Sequence, residues 1–141
     1  MSNILVSACL LGINCKYNGK NNRNERVLKL MEKHTLIPVC PEQLGGMQTP
    51  REPSERLGEK VVNKSGYDVT ENYKRGAEEA LRIAKLYGCK QAVLKEKSPS
   101  CGTDKIYDGS FSGTIADRAG VTVQLLRENG IEVIGENSEL L

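Results

Sequence analysis

The sequence predicts an α/β fold: a small Rossmann-like or flavodoxin-like three-layer domain with a four-stranded, mainly parallel sheet. Short apolar segments that suit buried strands alternate with segments whose apolar residues recur at helical spacing. Strands separated by helices indicate a parallel sheet joined by right-handed crossovers. The length of 141 residues fits a single domain over residues 1–141, whose core needs no disulfide or metal to hold it together.

The four expected strands are short and apolar. The first ends in small residues, the second carries Pro38 near its end, the third ends in Lys95, and the fourth follows Gly130. They are expected at residues 3–7, 35–39, 91–95 and 131–135.

Three helices are expected between these strands, over residues 25–33, 71–87 and 114–129. Asn24 and Thr70 are good N-cap residues for the first two, and glycines follow the second and third. The apolar residues that define the buried faces are Val27, Leu28 and Met31, then Tyr73, Ala77, Ala80, Leu81 and Ala84, then Ile115, Ala119, Val121, Leu125 and Leu126.

The remaining segments are expected to be turns and loops. Residues 60–63 and 67–69 flank a Ser-Gly pair and predict a small hairpin. The Gly- and Pro-rich stretch 43–57 and the polar stretch 103–113 are expected as loops. A surface loop as long as 43–57 is usually functional or disordered in a compact domain.

Composition excludes several classes of protein. Twenty basic residues against 18 acidic ones give a net charge of +2, which is no basic excess for binding a nucleic acid polymer. Five tyrosines, one phenylalanine and no tryptophan are too few for a base-stacking platform. No apolar stretch approaches the ~20 residues that cross a bilayer, and the first residues do not resemble a signal peptide. We therefore expect a cytoplasmic protein without a membrane partner.

Three of the five cysteines follow apolar strands directly. Cys9, Cys40 and Cys101 would meet at the carboxyl edge of a parallel sheet, where such folds bind ligands. Three dispersed thiolates suit a 4Fe-4S cluster with one iron left open, whereas structural zinc usually takes four ligands in close pairs. The other interpretations are small residues packed at strand ends, or a lone nucleophile, for which His34, the only histidine, is poorly placed as a partner.

The other two cysteines have simpler interpretations. Cys15 lies in a polar loop, where it is either a fourth ligand or, more in keeping with its surroundings, an incidental thiol. Cys89 precedes the third strand at the end opposite to Cys101, so we expect it to be a packing residue.

Several polar residues near these cysteines are candidates for chemistry. Glu42 is either a general base near Cys40 or a solvated loop residue. Ser98 and Ser100 either donate hydrogen bonds to a leaving group or stabilise their turn. Arg51 could bind an anion or a planar carbonyl ligand, and Lys95 and Lys97 could add a positive field.

Three motifs in this order resemble those of the bacterial thiouracil desulfurase family, and the similarity extends over essentially the whole chain. The first is Ser7-Ala8-Cys9-Leu10-Leu11-Gly12 with Lys16-Tyr17-Asn18-Gly19. The second is Cys40-Pro41-Glu42 with Gly45-Gly46-Met47 and Pro50-Arg51. The third is Leu94-Lys95 with Ser98-Pro99-Ser100-Cys101-Gly102.

The resemblance implies a 4Fe-4S cluster held by Cys9, Cys40 and Cys101, with the fourth iron open to the sulfur of a thiolated pyrimidine. Glu42 matches the acidic residue that helps water attack the ring carbon. Ser98 matches the serine that assists substrate binding or proton transfer. Sulfur would stay on the cluster as hydrosulfide while uracil leaves, with no net redox change.

The implied substrate is 2- or 4-thiouracil or a related nucleoside. Asn18 stands where relatives often have aspartate, so its uncharged side chain could alter contacts with the substrate or the surroundings of the cluster. Together with Ser100 and Arg51 it completes the set of candidate substrate-binding residues.

Two other functions stay open at this point. One is a cluster- or metal-binding module that senses or stores sulfur without catalysis. The other is a sulfurtransferase that uses a reactive thiol and no cluster. The sequence leaves the oligomeric state open between a monomer and a weak dimer.

Overall fold

The four apolar segments form one parallel sheet in the computed structural model, which describes residues 2–141. The strands are β1 Asn3–Ser7, β2 Thr35–Val39, β3 Ser54–Leu57, β4 Lys60–Asn63, β5 Gln91–Leu94, β6 Lys105–Tyr107, β7 Ile115–Asp117 and β8 Glu132–Gly135. The helices are α1 Glu25–Leu28, α2 Pro41–Leu44, α3 Thr70–Leu86 and α4 Val121–Glu128, with 3₁₀ segments at Ala8–Leu11 and Lys29–Glu32.

The main sheet has the strand order β2-β1-β5-β8, and its three pairings are all parallel. From β1 the chain moves to one side to form β2 and then crosses back to the other side of β1 to form β5. Such a reversal makes a switch point between β1 and β5, and ligands bind beyond the carboxyl ends of the strands there. The expected four-stranded parallel sheet is confirmed.

Helices cover both faces of this sheet, because right-handed crossovers that run in opposite directions place their helices on opposite sides. Leu5 and Leu94 pack with Val123 and Leu126 of α4 and with residues of α3. On the other face, Ile4, Val6, Leu10 and Val93 pack against Val27 of α1. The three-layer α/β class is therefore confirmed. No helix within residues 2–141 combines the length and the apolar character needed to cross a membrane.

The expected helix over 25–33 is wrong in its length. Asn24 caps it as expected, since its side chain accepts a hydrogen bond from the N–H of Val27 at 3.1 Å. The α-helix ends at Leu28, and a 3₁₀ segment follows it. Within residues 25–33 only Val27 is buried, and Met31 is 60% exposed. One buried residue gives too little packing to hold a longer helix, since tertiary packing provides most helical stability.

The long helix α3 confirms the second expected helix and most of its buried face. Tyr73, Ala77, Ala80 and Ala84 are buried along it. Thr70 begins the helix rather than capping it, and its hydroxyl accepts a hydrogen bond from the N–H of Val61 at 2.9 Å.

The expected hairpin is formed only in part. Residues 67–69 turn back onto β4 and make one antiparallel bridge, between Val62 and Asp68, with backbone hydrogen bonds from Asn63 to Tyr67 at 2.9 Å and from Val69 to Val61 at 2.8 Å. The strand that pairs with β4 along its whole length is β3. The buried residues of β3 are polar, Ser54 and Arg56, so the strand lacks the apolar alternation that predicts one. Arg56 can be buried because its guanidinium donates to the carbonyl of Ala119 at 2.9 Å and to Gln124 at 2.7 Å.

The expected helix over 114–129 begins only at Val121. Its first residues instead form β7, which pairs with β6 inside the expected loop 103–113, and Ile115 is exposed. Gly120 lies between them against the carbonyl of Ser100, where a Cβ atom would be 2.4 Å from that oxygen. A helix through this glycine would move the chain away from that close contact, which explains the break.

Candidate functional site

A cavity of about 450 Å³ opens at the carboxyl edge of the main sheet. Cys9, Cys40 and Cys101, which follow β1, β2 and β5, all line it. Cys15 lines it too, and all five cysteines of the chain are free thiols. The sheet topology therefore brings together three thiols that lie far apart in the sequence, as expected. Cys89 is not part of the lining and is buried in the core under α3 and α4, as a packing residue should be.

Cys9 lies in the 3₁₀ segment that follows β1. Gly12 ends this segment with a φ of +92°, a left-handed conformation that glycine adopts without strain. The carbonyl of Cys9 accepts hydrogen bonds from the N–H of Gly12 at 3.2 Å and of Asn22 at 2.9 Å. Burial raises the pKa of the Cys9 thiol, while a side-chain hydrogen bond with Asn22 opposes this effect.

Cys40 is the N-cap residue of the short helix α2, and its Sγ lies 3.7 Å from the carbonyl oxygen of Cys15. A hydrogen bond with the Cys15 thiol lowers the pKa of Cys40 to about 6, against the effect of burial and with help from the backbone N–H of Gln43. The same hydrogen bond is the main cause that raises the pKa of Cys15. Cys40 is therefore prepared to be a thiolate near neutral pH.

Cys101 lies in the turn after β5 and is buried, which raises its pKa to about 12. The side chain of Ser98 organises this turn, because its Oγ accepts hydrogen bonds from the N–H of Ser100 at 3.1 Å and of Cys101 at 3.0 Å. Gly102 is packed so tightly that a Cβ atom would lie 2.6 Å from the side chain of Ile106. The thiol therefore sits on a rigid turn.

Glu42 lies in the first turn of α2, and its carboxylate borders the cavity with 15% of the side chain exposed. Its Oε2 accepts hydrogen bonds from Nε and Nη2 of Arg51, the first at 2.9 Å. Its Oε1 accepts a hydrogen bond from the hydroxyl of Tyr73 at 2.5 Å. Glu42 is therefore a fixed cavity residue and not a solvated loop residue.

Arg51 lines the cavity, but its guanidinium is fully used inside the protein. Its five N–H groups donate to Glu42, to the carbonyls of Gln48 and Cys15, and to the hydroxyl of Thr49. No donor is left for an anion or a carbonyl ligand. Arg51 thus fixes Glu42 and the Cys15 loop, which differs from the direct substrate contact that was expected.

The other two candidate substrate contacts are placed differently from the sequence-based expectation. Ser100 borders the cavity but is buried, with its Oγ 2.7 Å from the hydroxyl of Thr122 in α4. Asn18 does not line the cavity; it lies exposed in a turn, where its Oδ1 accepts a hydrogen bond from the N–H of Lys20 at 3.0 Å. That local bond explains why the structure does not bring Asn18 to the site.

Both lysines of the third motif region reach the cavity lining. Nζ of Lys95 lies 2.9 Å from a carboxylate oxygen of Glu136 and 2.9 Å from the carbonyl of Glu96. Lys97 is exposed and has a φ of +67°, which is uncommon for a residue with a side chain. Lys95 lowers the pKa of the Cys9 thiol, but its partner Glu136 raises it, and both effects are smaller than that of burial.

The sequence profile of the 2-thiouracil desulfurase family matches residues 4–138. The chain belongs to the 2-thiouracil desulfurase family. The family and the enzyme class expected from the three motifs are thereby confirmed: members of this desulfurase family break carbon–sulfur bonds.

Two relatives of the chain extend this result. YbbK of Bacillus subtilis (strain 168), named an uncharacterized protein, is 46% identical over 144 residues, which is 95% of each chain. A solved structure of the 4Fe-4S-dependent thiouracil desulfidase TudS is 43% identical, with a TM-score of 0.94 over 99% of this chain and 94% of that one. The expected cofactor type is therefore the one named for a desulfidase of the same fold.

The thiols of this family member fit an iron–sulfur cluster better than a single metal ion. Within residues 2–141, no group of three or more His, Cys, Asp or Glu side chains is arranged to hold one metal ion. A cluster binds each thiolate through a different iron, so its ligands need not converge on one point. The free thiols of Cys9, Cys40 and Cys101 on this cavity are the kind of soft donor that such clusters take.

Sequence reasoning missed two residues that shape this site. Tyr73 was expected only as part of the buried face of α3, yet its hydroxyl contacts Glu42. Cys15 was interpreted as incidental, yet it is buried beside Cys40. A polar group on an otherwise apolar helix face is the signal that could have pointed to Tyr73, because a buried hydroxyl needs a partner.

Proposed function

We propose that this protein removes sulfur from thiouracil, with a 4Fe-4S cluster held by Cys9, Cys40 and Cys101 and with Glu42 and Ser98 as the catalytic side chains. The observation that carries the proposal is a cavity at the switch point of the sheet. It is lined by the three strand-end thiols together with Glu42 and Ser98. Family membership and the likeness to TudS support the same substrate class.

The three thiols differ in how readily they become ligands. The hydrogen bond with Cys15 lowers the pKa of Cys40 to about 6, whereas burial raises that of Cys101 to about 12, so Cys101 would bind a metal only with loss of its proton. When bound, the cluster supplies an iron without a protein ligand, a Lewis acid that prefers a soft thione sulfur to water. Cys15 and Cys89 are not assigned as ligands.

Glu42 has the position and the contacts of a general base. Two N–H groups of Arg51 occupy its Oε2, and the single hydrogen bond from Tyr73 leaves a lone pair on Oε1. A water molecule in the cavity can donate to that lone pair while its oxygen attacks the ring carbon next to sulfur. Because Glu42 is largely shielded from solvent, its hydrogen bond to this water is strong.

The hydroxyl group of Ser98 can still donate one hydrogen bond. Its Oγ accepts two backbone N–H groups, so its own O–H proton is directed elsewhere and is free to donate to a substrate in the cavity. Both interpretations of this serine, turn stabilisation and substrate contact, are therefore compatible in one residue.

The overall reaction balances without an oxidant or a reductant. The oxygen of water forms a bond to the ring carbon, the carbon–sulfur bond breaks, and sulfur leaves with its electron pair as hydrosulfide. One water proton stays on hydrosulfide and the other passes through Glu42 to solvent. The products are uracil and hydrosulfide in equal amounts.

The test is an anaerobic assay of the protein with 2-thiouracil and with 4-thiouracil. We expect brown protein with about four irons and four sulfides per chain, and equal release of uracil and hydrosulfide. Uracil release by colourless, iron-free protein would show a cluster-free sulfurtransferase instead. A full cluster without any turnover would favour a sulfur-sensing module.

Some expectations from the sequence remain predictions. They are the cytoplasmic location, the single domain over residues 1–141, and the absence of a nucleic acid or membrane partner. The preference between thiouracil and a related nucleoside is the finer question, and the same assay addresses it once a thiolated nucleoside is added as a substrate.

A further inference from the structure

The hydroxyl of Tyr73 is a contact that the proposed reaction does not yet use. Tyr73 lies on the buried side of α3 and is 2% exposed. A tyrosine so deeply buried needs a partner for its hydroxyl. That partner is Oε1 of Glu42, at 2.5 Å, on a different helix and 31 residues earlier in the chain.

The two carboxylate oxygens of Glu42 are used unequally. Each has two lone pairs, and Arg51 fills both positions on Oε2 with Nε and Nη2. Tyr73 fills one position on Oε1. The free lone pair of Oε1 is therefore the one that can receive a proton, and Tyr73 determines its direction.

The two helices that carry this pair are held together by their backbones. A Cβ atom on Gly76 of α3 would lie 1.9 Å from the carbonyl oxygen of Pro41, and one on Gly45 would lie 2.0 Å from that of Asn72. The amide of Asn72 also donates to the carbonyl of Gly45 at 3.0 Å. Because this contact leaves no room for sliding, Tyr73 is a fixed reference point for Glu42.

We propose that Tyr73 is a positioning residue that orients the proton-accepting oxygen of Glu42 toward the cavity. The expected effect of Tyr73 on turnover rests on the proposed function. Its expected effect on the orientation of the Glu42 carboxylate does not. Without the hydroxyl, Arg51 still holds Oε2, and the carboxylate is free to rotate about that contact. The water that attacks the substrate then loses its fixed acceptor.

The substitution Tyr73→Phe tests this role, because it keeps the buried ring and removes only the hydroxyl. With holoenzyme we expect kcat to fall about 10- to 100-fold while KM and iron content stay near those of the wild type. Tyr87→Phe is the matched control: it removes an exposed hydroxyl at the end of the same helix and should leave all three values unchanged.

A double-mutant cycle with Glu42→Gln separates positioning from a general structural role. If Tyr73 acts through Glu42, adding Tyr73→Phe to Glu42→Gln causes little further loss of kcat. Multiplied losses in the double variant, or an unchanged kcat in Tyr73→Phe, would overturn the proposal.

A crystal structure of Tyr73→Phe supplies a readout that does not depend on turnover. We expect the Glu42 carboxylate to rotate or to occupy two conformers, with its Oε2 still on Arg51. A carboxylate that stays in its wild-type position overturns the proposal even if the protein proves inactive on thiouracil. An inactive wild-type holoenzyme would instead count against the proposed function alone.

Discussion

Cys40 and Cys101 hold equivalent places in the fold and lie in opposite surroundings. Each follows a strand of the parallel sheet and lines the same cavity. Cys40 begins a helix beside polar and charged groups, and its pKa is about 6. Cys101 lies buried in a turn, and its pKa is about 12.

The difference between the two cysteines reflects a difference between the two sides of the cavity. The α2 side carries the largely buried Glu42–Arg51 ion pair and the Cys40 thiol, whose pKa is lowered. The turn side supplies rigid backbone, fixed by Ser98 and by the tight packing of Gly102.

The largest expected effect is the loss of the cluster when either side loses its thiol. Changing Cys9, Cys40 or Cys101 to Ser should each abolish iron and sulfide retention, measured per chain after anaerobic purification. Cys15→Ala and Cys89→Ala should retain both. If the loss follows Cys15 or Cys89 instead, the ligand assignment is wrong.

The next effect is on the docking of α2. In Gly76→Ala the added methyl group would meet the carbonyl of Pro41, so α2 must shift and carry Cys40 and Glu42 with it. We expect the free energy of unfolding to fall by about 1–3 kcal/mol, a typical cost of overpacking, together with reduced iron retention. Urea denaturation measures the first quantity.

Glu78→Ala, at an exposed position of the same helix, is the control and should be nearly neutral. An unchanged stability of Gly76→Ala would mean that α2 is not held by this backbone contact.

The opposite environments should also appear as different thiol reactivity in cluster-free protein. Alkylation of Cys40 by iodoacetamide should be fast at pH 7 and should slow as the pH falls through about 6, because only the thiolate reacts. Cys101 should stay unmodified over the same range. Mass spectrometry of peptides after timed quenching measures both, and equal reactivity of the two thiols would contradict the comparison.

The smallest effect concerns Glu96, at the base of the Cys101 turn. Burial opposes its ionisation, but hydrogen bonds from the Thr103 hydroxyl and from the N–H groups of residues 103–105 outweigh it and lower the pKa of Glu96 from its ordinary value. A lowered pKa stabilises the fold above the unfolded-state value, and this stability is lost as pH falls through the folded-state pKa.

The Glu96→Gln variant should therefore be less stable than the wild type at pH 7. Its stability should also change less with pH below 5. Thermal unfolding curves at several pH values measure this. A wild-type-like loss of stability in acid would show that Glu96 is not its source.

The main sheet could be predicted because each of its strands is a run of apolar residues, and the parallel order brings their ends together. The same reasoning placed Cys9, Cys40 and Cys101 at one edge. β3 could not be predicted, because the buried residue Arg56 finds its partners on α4 and its preceding segment, more than 60 residues later. A strand whose buried residues are polar lacks the alternation of apolar residues from which a strand is predicted.

The sequence allowed the residue types of the site to be predicted, but not the hydrogen bonds between them. Glu42 follows Cys40 closely, so its nearness to the cavity could be expected. The bonds that fix it come from Arg51 and from Tyr73 on α3, and no local pattern reports them. The start of α4 was missed for a similar reason, since Gly120 is set by its contact with the carbonyl of Ser100.

The most direct test of the account is an anaerobic crystal structure with anomalous scattering measured at the iron edge. We predict one four-iron cluster in the cavity, with the Sγ atoms of Cys9, Cys40 and Cys101 each bonded to a different iron and the fourth iron without a protein ligand. An iron bonded to Cys15, or a single metal ion in place of the cluster, would contradict it.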